Sequence, residues 1–328
     1  MLVTGVAGFI GSNLADRLLA EGHAVVGLDD LSSGVLEQVP AGVEFHRADV
    51  RSPAIFPLFR GTDTVFHLAA KNCISDCQAD PVATAGHNVL GTVNVLEAVV
   101  RAGVRKVVYA ESSAVYEGST RLPTPESEEA PESFYAVSKQ AARRFAEAYV
   151  RFHGLNLTTL RYFCVYGPRQ DYRRTVPPVM SAFMLRLLRG ERPTIYGTGE
   201  KRRDFVYVDD VNDFHVQAIA DARTDGRVFN LGSGVSHSVR EIFELVRSLV
   251  GSALEPVYAS DLPGEAFENR ADISAARGLG WAPRVELEEG LRRSLAFIRA
   301  HVLPGDAAGD ARAGPRGPGG PEASWIPA

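Results

Sequence analysis

Apolar and polar positions along the first half of the chain follow two periods in turn. Short β-rich apolar runs at 1–4, 24–28, 64–68, 106–110 and 157–161 show little polar alternation. They predict strands covered on both faces. Between them, residues 10–20, 88–102 and 135–152 repeat apolar positions at helical spacing. Strands alternating with helices predict a parallel sheet built from βα units, an α/β fold of the Rossmann-type, doubly wound class.

From Gly167 the texture changes, with Pro168, Pro177, Pro178 and Pro193 interrupting the pattern. Helices are predicted at 179–189 and 239–250, and short strands at 194–196, 204–206 and 228–231. The expectation is a first domain over 1–166 and a smaller mixed α/β domain over 167–304. Segments near 201–232 are expected to return to the first. Beyond residue 301 the chain turns to Gly, Pro, Ala and Arg, which predicts a disordered tail over 305–328.

Composition narrows the function. A net charge of −5, with no basic block, excludes nucleic acid as the expected partner. No apolar run is long enough to span a bilayer, so no membrane association is expected. The N-terminus lacks a basic n-region and carries Asp16 and Arg17, unlike a signal peptide. Three cysteines, Cys73, Cys77 and Cys164, make no disulfide framework and predict a reducing, cytoplasmic setting. Cys73 and Cys77 have no second ligand pair at metal spacing, so no metal is expected.

The first strand runs straight into Thr4-Gly5-Val-Ala-Gly8-Phe9-Ile10-Gly11 and then a helix. Glycines there let the backbone approach a pyrophosphate at the positive end of the helix. Asp29, at the end of the second strand, would accept from adenosine ribose hydroxyls and repel a 2′-phosphate, with Asp30 adding negative charge. The cofactor expected is NAD.

Tyr135 and Lys139 stand four apart on a predicted helix and so share a face. An ammonium beside a phenol favours the phenolate and equips the pair for proton transfer. Ten tyrosines and four lysines give this spacing by chance in about one such chain in eight. The lysine is distinctive here, because only four of the 35 basic residues are lysines. Ser112 follows the 106–110 strand, at the end of the sheet where ligand-facing residues gather, with Ser113 as its nearest rival.

With these motifs, the chain resembles the extended short-chain dehydrogenase/reductases. Within them it is most like the UDP-glucose 4-epimerase group of the nucleotide-sugar epimerase and dehydratase branch. Further stretches carry the resemblance: Leu68-Ala69-Ala70, Asn88-x-x-Gly91-Thr92, Ser112-Ser-Ala-Val-Tyr116, Arg161-Tyr-Phe-Cys-Val-Tyr-Gly-Pro-Arg169 and Arg203-Asp-Phe-Val-Tyr-Val-Asp-Asp210. The resemblance implies Ser112, Tyr135 and Lys139 as catalytic residues. It implies Asp49, Val50, Leu68, Ala69, Ala70, Asn88 and Tyr162 as cofactor contacts, beside the glycine loop and Asp29. Ser112, Ser113, Cys164 and Arg203 would meet a nucleotide-diphosphate sugar, with a UDP-sugar foremost, and the enzyme would be a homodimer. Asp49 could equally cap a helix, and Ala69 and Ala70 could be small residues at a crowded strand end.

The implied reaction is 4-epimerisation by transient oxidation at C4 and hydride return. Dehydratases of the 4,6 type in this branch carry an acidic pair after the hydroxyl residue, where this chain has Ser113 and Ala114. A dehydratase, a net oxidoreductase and a non-catalytic NAD-binding regulator stay open as alternatives. Two positions depart from the family pattern. Cys164 stands where an asparagine is usual, and Leu262-Pro-Gly-Glu265 stands where Arg-Pro-Gly-Asp is common.

Overall fold

The computed structural model describes residues 1–173, 176–261 and 266–303. The Leu262–Glu265 departure and the expected tail at 305–328 lie outside the described residues. In chain order the first part runs β1 (Leu2–Thr4), α1 (Phe9–Ala20), β2 (Val25–Asp29), β3 (Val43–Arg47), β4 (Thr64–His67), α2 (Ile74–Ala79), α3 (Pro81–Ala85), α4 (Gly91–Ala102), β5 (Lys106–Ser112), α5 (Phe134–His153) and β6 (Leu157–Tyr162). There follow β7 (Cys164–Tyr166), α6 (Val179–Leu188), β8 (Thr194–Tyr196), β9 (Arg202–Tyr207), α7 (Val208–Ala220), β10 (Arg227–Leu231), β11 (Ser236–Ser238), α8 (Val239–Val250), β12 (Val257–Ala259), α9 (Ser274–Arg277) and α10 (Leu287–Phe297).

Seven parallel strands form the main sheet in the order β10-β6-β5-β4-β1-β2-β3. Consecutive strand residues feed opposite faces, as the two-residue period requires. Val3, Phe66 and Val108 enter one core, while Leu2, Val65 and Val107 enter the other. That is why these runs read as continuously apolar. The chain leaves β1 towards β2 and β3, then returns to β4 on β1's other side. This reversal opens the crevice where α/β sheets bind ligands.

β10, at 227–231, closes one edge by pairing with β6. Smaller sheets, β11-β9-β7 and β12-β8, pack on a third core built around Phe183, Phe205, Ile242 and Leu291. Among the described residues no helix is long and apolar enough to cross a membrane.

Several elements escaped the periodicity. β3 is an edge strand whose residues are only half-buried or exposed, so its apolar signal is weak. α7 follows β9 directly, with Tyr207 at its start and no side-chain cap, so nothing in the sequence marks a boundary. The predicted helix at 88–102 instead begins at Gly91, after a π-turn over Gly86–Leu90 that takes in Asn88.

Candidate active site

A cleft of about 2030 Å³ runs from the glycine loop to the second sheet system. Gly5 takes φ of 73°, a conformation that favours glycine. A Cβ on Gly11 would lie 2.1 Å from the Gly5 carbonyl oxygen. Gly8 is the N-cap of α1 and offers no side chain, so no side-chain group occupies the helix start. The loop is thus a cradle of backbone N–H groups at a positive dipole end.

Asp29 accepts from Ala7 N–H at 3.0 Å and Leu31 N–H at 2.8 Å. Each carboxylate oxygen keeps further acceptor capacity, Asp29 lines the cleft, and burial pushes its pKa up. Uncapped glycine loop and oriented carboxylate together fit a dinucleotide with a free ribose 2′-hydroxyl.

Opposite this loop, Ser112, Tyr135 and Lys139 line the same cleft. Ser112 ends β5, and its Oγ accepts from Ala114 N–H at 3.2 Å, leaving its own proton to donate. Tyr135 lies in the first turn of α5, whose N-terminus is held on every side. Ser133 Oγ accepts from Ala136 N–H at 3.1 Å and donates to Glu117 Oε1 at 2.9 Å. Glu117 Oε2 accepts from Ser133 N–H at 2.8 Å, and Gln78 Oε1 from Phe134 N–H at 3.0 Å. These contacts satisfy donors that a helix start leaves open, and they fix the turn that carries Tyr135.

Lys139 is buried, with Nζ 4.7 Å from the centre of the Tyr109 ring. Burial lowers its pKa to about 8, and Glu111 opposes that shift. Glu111 belongs to none of the sequence motifs. It sits directly across from Arg161 in the β5–β6 register and forms a buried ion pair with it. Its other oxygen accepts from Arg143 Nε at 2.9 Å. Arg161 also donates to the Tyr116 hydroxyl at 2.8 Å and to Glu129 at 2.7 Å. The available signal was a charge next to the last residue of each of two buried strands.

Of the predicted cofactor contacts, Gly5, Gly8, Phe9, Ile10, Gly11, Asp29, Asp30, Val50, Leu68, Ala69, Ala70 and Tyr162 line the cleft. Tyr162 commits its hydroxyl to His215 Nε2 at 2.6 Å. Two expected contacts are not brought in. Asp49 accepts from Arg51 N–H at 2.8 Å and pairs with the Arg51 guanidinium, and it caps no helix, since the turn that follows is capped by Ser52. Asn88 is buried, with its amide committed to the Lys71 backbone and to Ser138.

On the substrate side, Ser113, Cys164 and Arg203 line the cleft. Arg169, with φ of 68°, also lines the cleft and pairs with Asp16 of α1 at 2.5 Å.

Comparison with known proteins bears on this geometry. The NAD dependent epimerase/dehydratase family matches residues 1–232. A UDP-glucose 4-epimerase of Mycolicibacterium smegmatis is 40% identical over 308 residues, covering 91% of this chain and 98% of its own. The crystal structure of UDP-glucose 4-epimerase from Thermotoga maritima with UDP-glucose matches with a TM-score of 0.88 and 36% identity, over 91% and 98% of the two chains. That of the Thermus thermophilus enzyme in complex with NAD matches at 0.86 and 36%, over 92% and 99%.

Proposed function

This chain belongs to the NAD-dependent epimerase/dehydratase family, and on that premise we propose that it is a nucleotide-sugar 4-epimerase with a UDP-sugar as substrate. Gly5, Gly8, Gly11 and the start of α1 would hold the pyrophosphate of NAD. Asp29 would hold its adenosine ribose, and Lys139 its nicotinamide ribose. When bound there, NAD supplies the hydride acceptor and donor.

The chain's own residues do the proton work. Ser112 donates to the reacting sugar oxygen and orients it. Tyr135, as phenolate beside the Lys139 ammonium, takes the C4 hydroxyl proton and later returns it. Arg203 suits the diphosphate of the nucleotide through its planar fork.

The observation that carries 4-epimerisation over elimination is the fate of the acid next to Ser112 in the chain. Water elimination needs a free carboxyl beside the sugar, yet Ser113 and Ala114 follow Ser112. Both oxygens of Glu111 are bound to Arg143 and Arg161. A reversible Tyr135 proton is all that epimerisation requires.

Two further readings accompany this one. Phe134, Val137, Phe145 and Phe152 expose apolar side chains on α5, which supports a homodimer packed on that face. The three cysteines are free, which supports a reducing cytoplasm.

The test is a panel of UDP-, dTDP- and GDP-sugars followed by NMR, with Tyr135→Phe alongside. A UDP-sugar should equilibrate with its C4 epimer without net NADH, and Tyr135→Phe should lose roughly 10²–10⁴-fold in kcat. A stable keto product, accumulating NADH or full turnover by Tyr135→Phe would overturn the reading.

A further inference from the structure

His67 closes β4 beneath the cleft, fully buried, and each of its ring nitrogens meets one hydroxyl. Nδ1 lies 2.8 Å from Thr4 Oγ1, and Nε2 lies 2.9 Å from Thr92 Oγ1. Counting donors and acceptors around those hydroxyls fixes the ring's state.

Thr92 Oγ1 lies 2.6 Å from the Asn88 carbonyl oxygen. A carbonyl only accepts, so the single Thr92 proton goes there. His67 Nε2 must therefore carry a hydrogen and donate to Thr92. On the other side, Thr4 Oγ1 accepts from Leu68 N–H and Ala69 N–H, both at 3.1 Å. Its lone pairs are taken, so its proton goes to Nδ1, which must be bare. The two sides give the same answer independently: a neutral imidazole protonated at Nε2.

The hydrogen bonds then run one way. Leu68 and Ala69, whose backbone lies within 3.1 Å of a Cβ built on Gly5, donate to Thr4. Thr4 donates to His67, His67 to Thr92, and Thr92 to Asn88. The Asn88 amide donates onward to Ser138 Oγ at 2.9 Å, and Ser138 donates to the Tyr135 carbonyl at 2.7 Å. Asn88 itself sits in the π-turn at Gly86–Leu90, a distortion that recurs at functional sites.

We propose that His67 is a positioning residue. As the neutral Nε2–H tautomer it ties the backbone floor under the glycine loop to the helical turn that carries Tyr135 and Lys139. The proposal rests on the 4-epimerase reading only for its rate readout. A protonated His67 would present three donors to Thr4 Oγ1 and reverse the chain at its centre. The titratable side chains facing the ring are Tyr109, with ring centroids 5.9 Å apart, and Lys139. Burial and the Lys139 ammonium both hold the imidazole neutral, with its pKa lowered to about 3.

Two measurements test this. In the wild-type holoenzyme labelled with ¹⁵N-histidine, and assigned by loss of the signal in His67→Gln, His67 should show a bare Nδ1 and a protonated Nε2 from pH 8 to pH 5. An Nδ1–H tautomer, or titration in that range, overturns the oriented chain. Thr92→Val removes the acceptor at nearly constant shape. It should lower kcat by about 10-fold or more with KM and bound NAD unchanged, since a misplacement of about 1 Å costs about 10²-fold. Thr92→Ser should restore the rate.

A smaller loss, a loss confined to KM, or failure of the serine to rescue overturns the positioning role. If Thr92→Val does not fold, the wild-type tautomer still decides. If the wild type epimerises no sugar, the proposed reaction falls while the tautomer result stands or falls separately.

Discussion

Arg143 Nε donates to Glu111 Oε1 at 2.9 Å, with the two side chains 4% and 0% exposed. This pair joins β5, one residue before Ser112, to α5, one turn beyond Lys139. It thereby sets the distance between the two elements that supply the catalytic groups. Removing one partner leaves the others as uncompensated buried charges. Glu111→Ala should lose about 3–5 kcal/mol of unfolding free energy. Chemical denaturation of both proteins checks it, and a loss near the ~0–1 kcal/mol of a surface pair would show that water reaches the network.

The glycine loop gives a steric prediction. Gly11→Ala puts a Cβ 2.1 Å from the Gly5 oxygen. That oxygen cannot easily withdraw, because it already accepts from Gly8 N–H at 3.1 Å. Overpacking of this kind costs about 1–3 kcal/mol, here concentrated where the pyrophosphate would lie. The variant should fold, by circular dichroism, and release far less NAD on acid denaturation than the wild type. Wild-type NAD content in Gly11→Ala would remove the cradle argument.

Much of this site was legible in the residues. The glycine loop, Asp29, Ser112, Tyr135 and Lys139 each announce themselves by chemistry at a fixed place in a βα unit, where strand ends and helix starts gather ligands. Glu111, Arg143 and Arg161 did not, although Glu111 and Arg161 interrupt apolar runs. Their partnership depends on the β5–β6 register and on which face of α5 meets the sheet, and neither is local. Asn88 failed in the opposite direction. The resemblance implies a cofactor contact there, but its amide is committed to the Lys71 backbone and to Ser138. β3 and α7 were missed because an edge strand alternates weakly and an uncapped helix has no start signal.

The outer face of α5 gives a prediction about assembly. Phe145 and Phe152 are 48% and 76% exposed, and a stripe of such residues marks an interaction surface. If two copies meet there, the double variant Phe145→Glu/Phe152→Glu buries like charges at the contact and should be monomeric by light scattering. The wild type should be dimeric at the same concentration. A dimeric double variant would move the interface elsewhere.

Lys139 gives the last prediction, because stability and activity pull on it in opposite directions. Its pKa is lowered from 10.5 to about 8, chiefly by burial. Below pH 8 the ammonium is present in both folded and unfolded chains, and the fold carries the full cost of burying it. Between pH 8 and 10.5 the folded chain gives up the proton while the unfolded chain keeps it. The unfolded state then binds more protons, so stability rises with pH across that window. Lys139→Met, which keeps the stem and removes the charge, should therefore be more stable than the wild-type apoprotein at pH 7, by on the order of 3 kcal/mol. The advantage should shrink as pH approaches 10.5. Activity should run the other way: the variant is inactive, and wild-type turnover declines as the ammonium that favours the Tyr135 phenolate is lost above pH 8. Denaturation midpoints of both proteins from pH 7 to 10.5, set beside the wild-type pH–rate profile, make the comparison. A variant less stable than the wild type at pH 7 would mean that Lys139 is held by favourable contacts strong enough to outweigh its burial, and that the site keeps its ammonium at no cost to the fold.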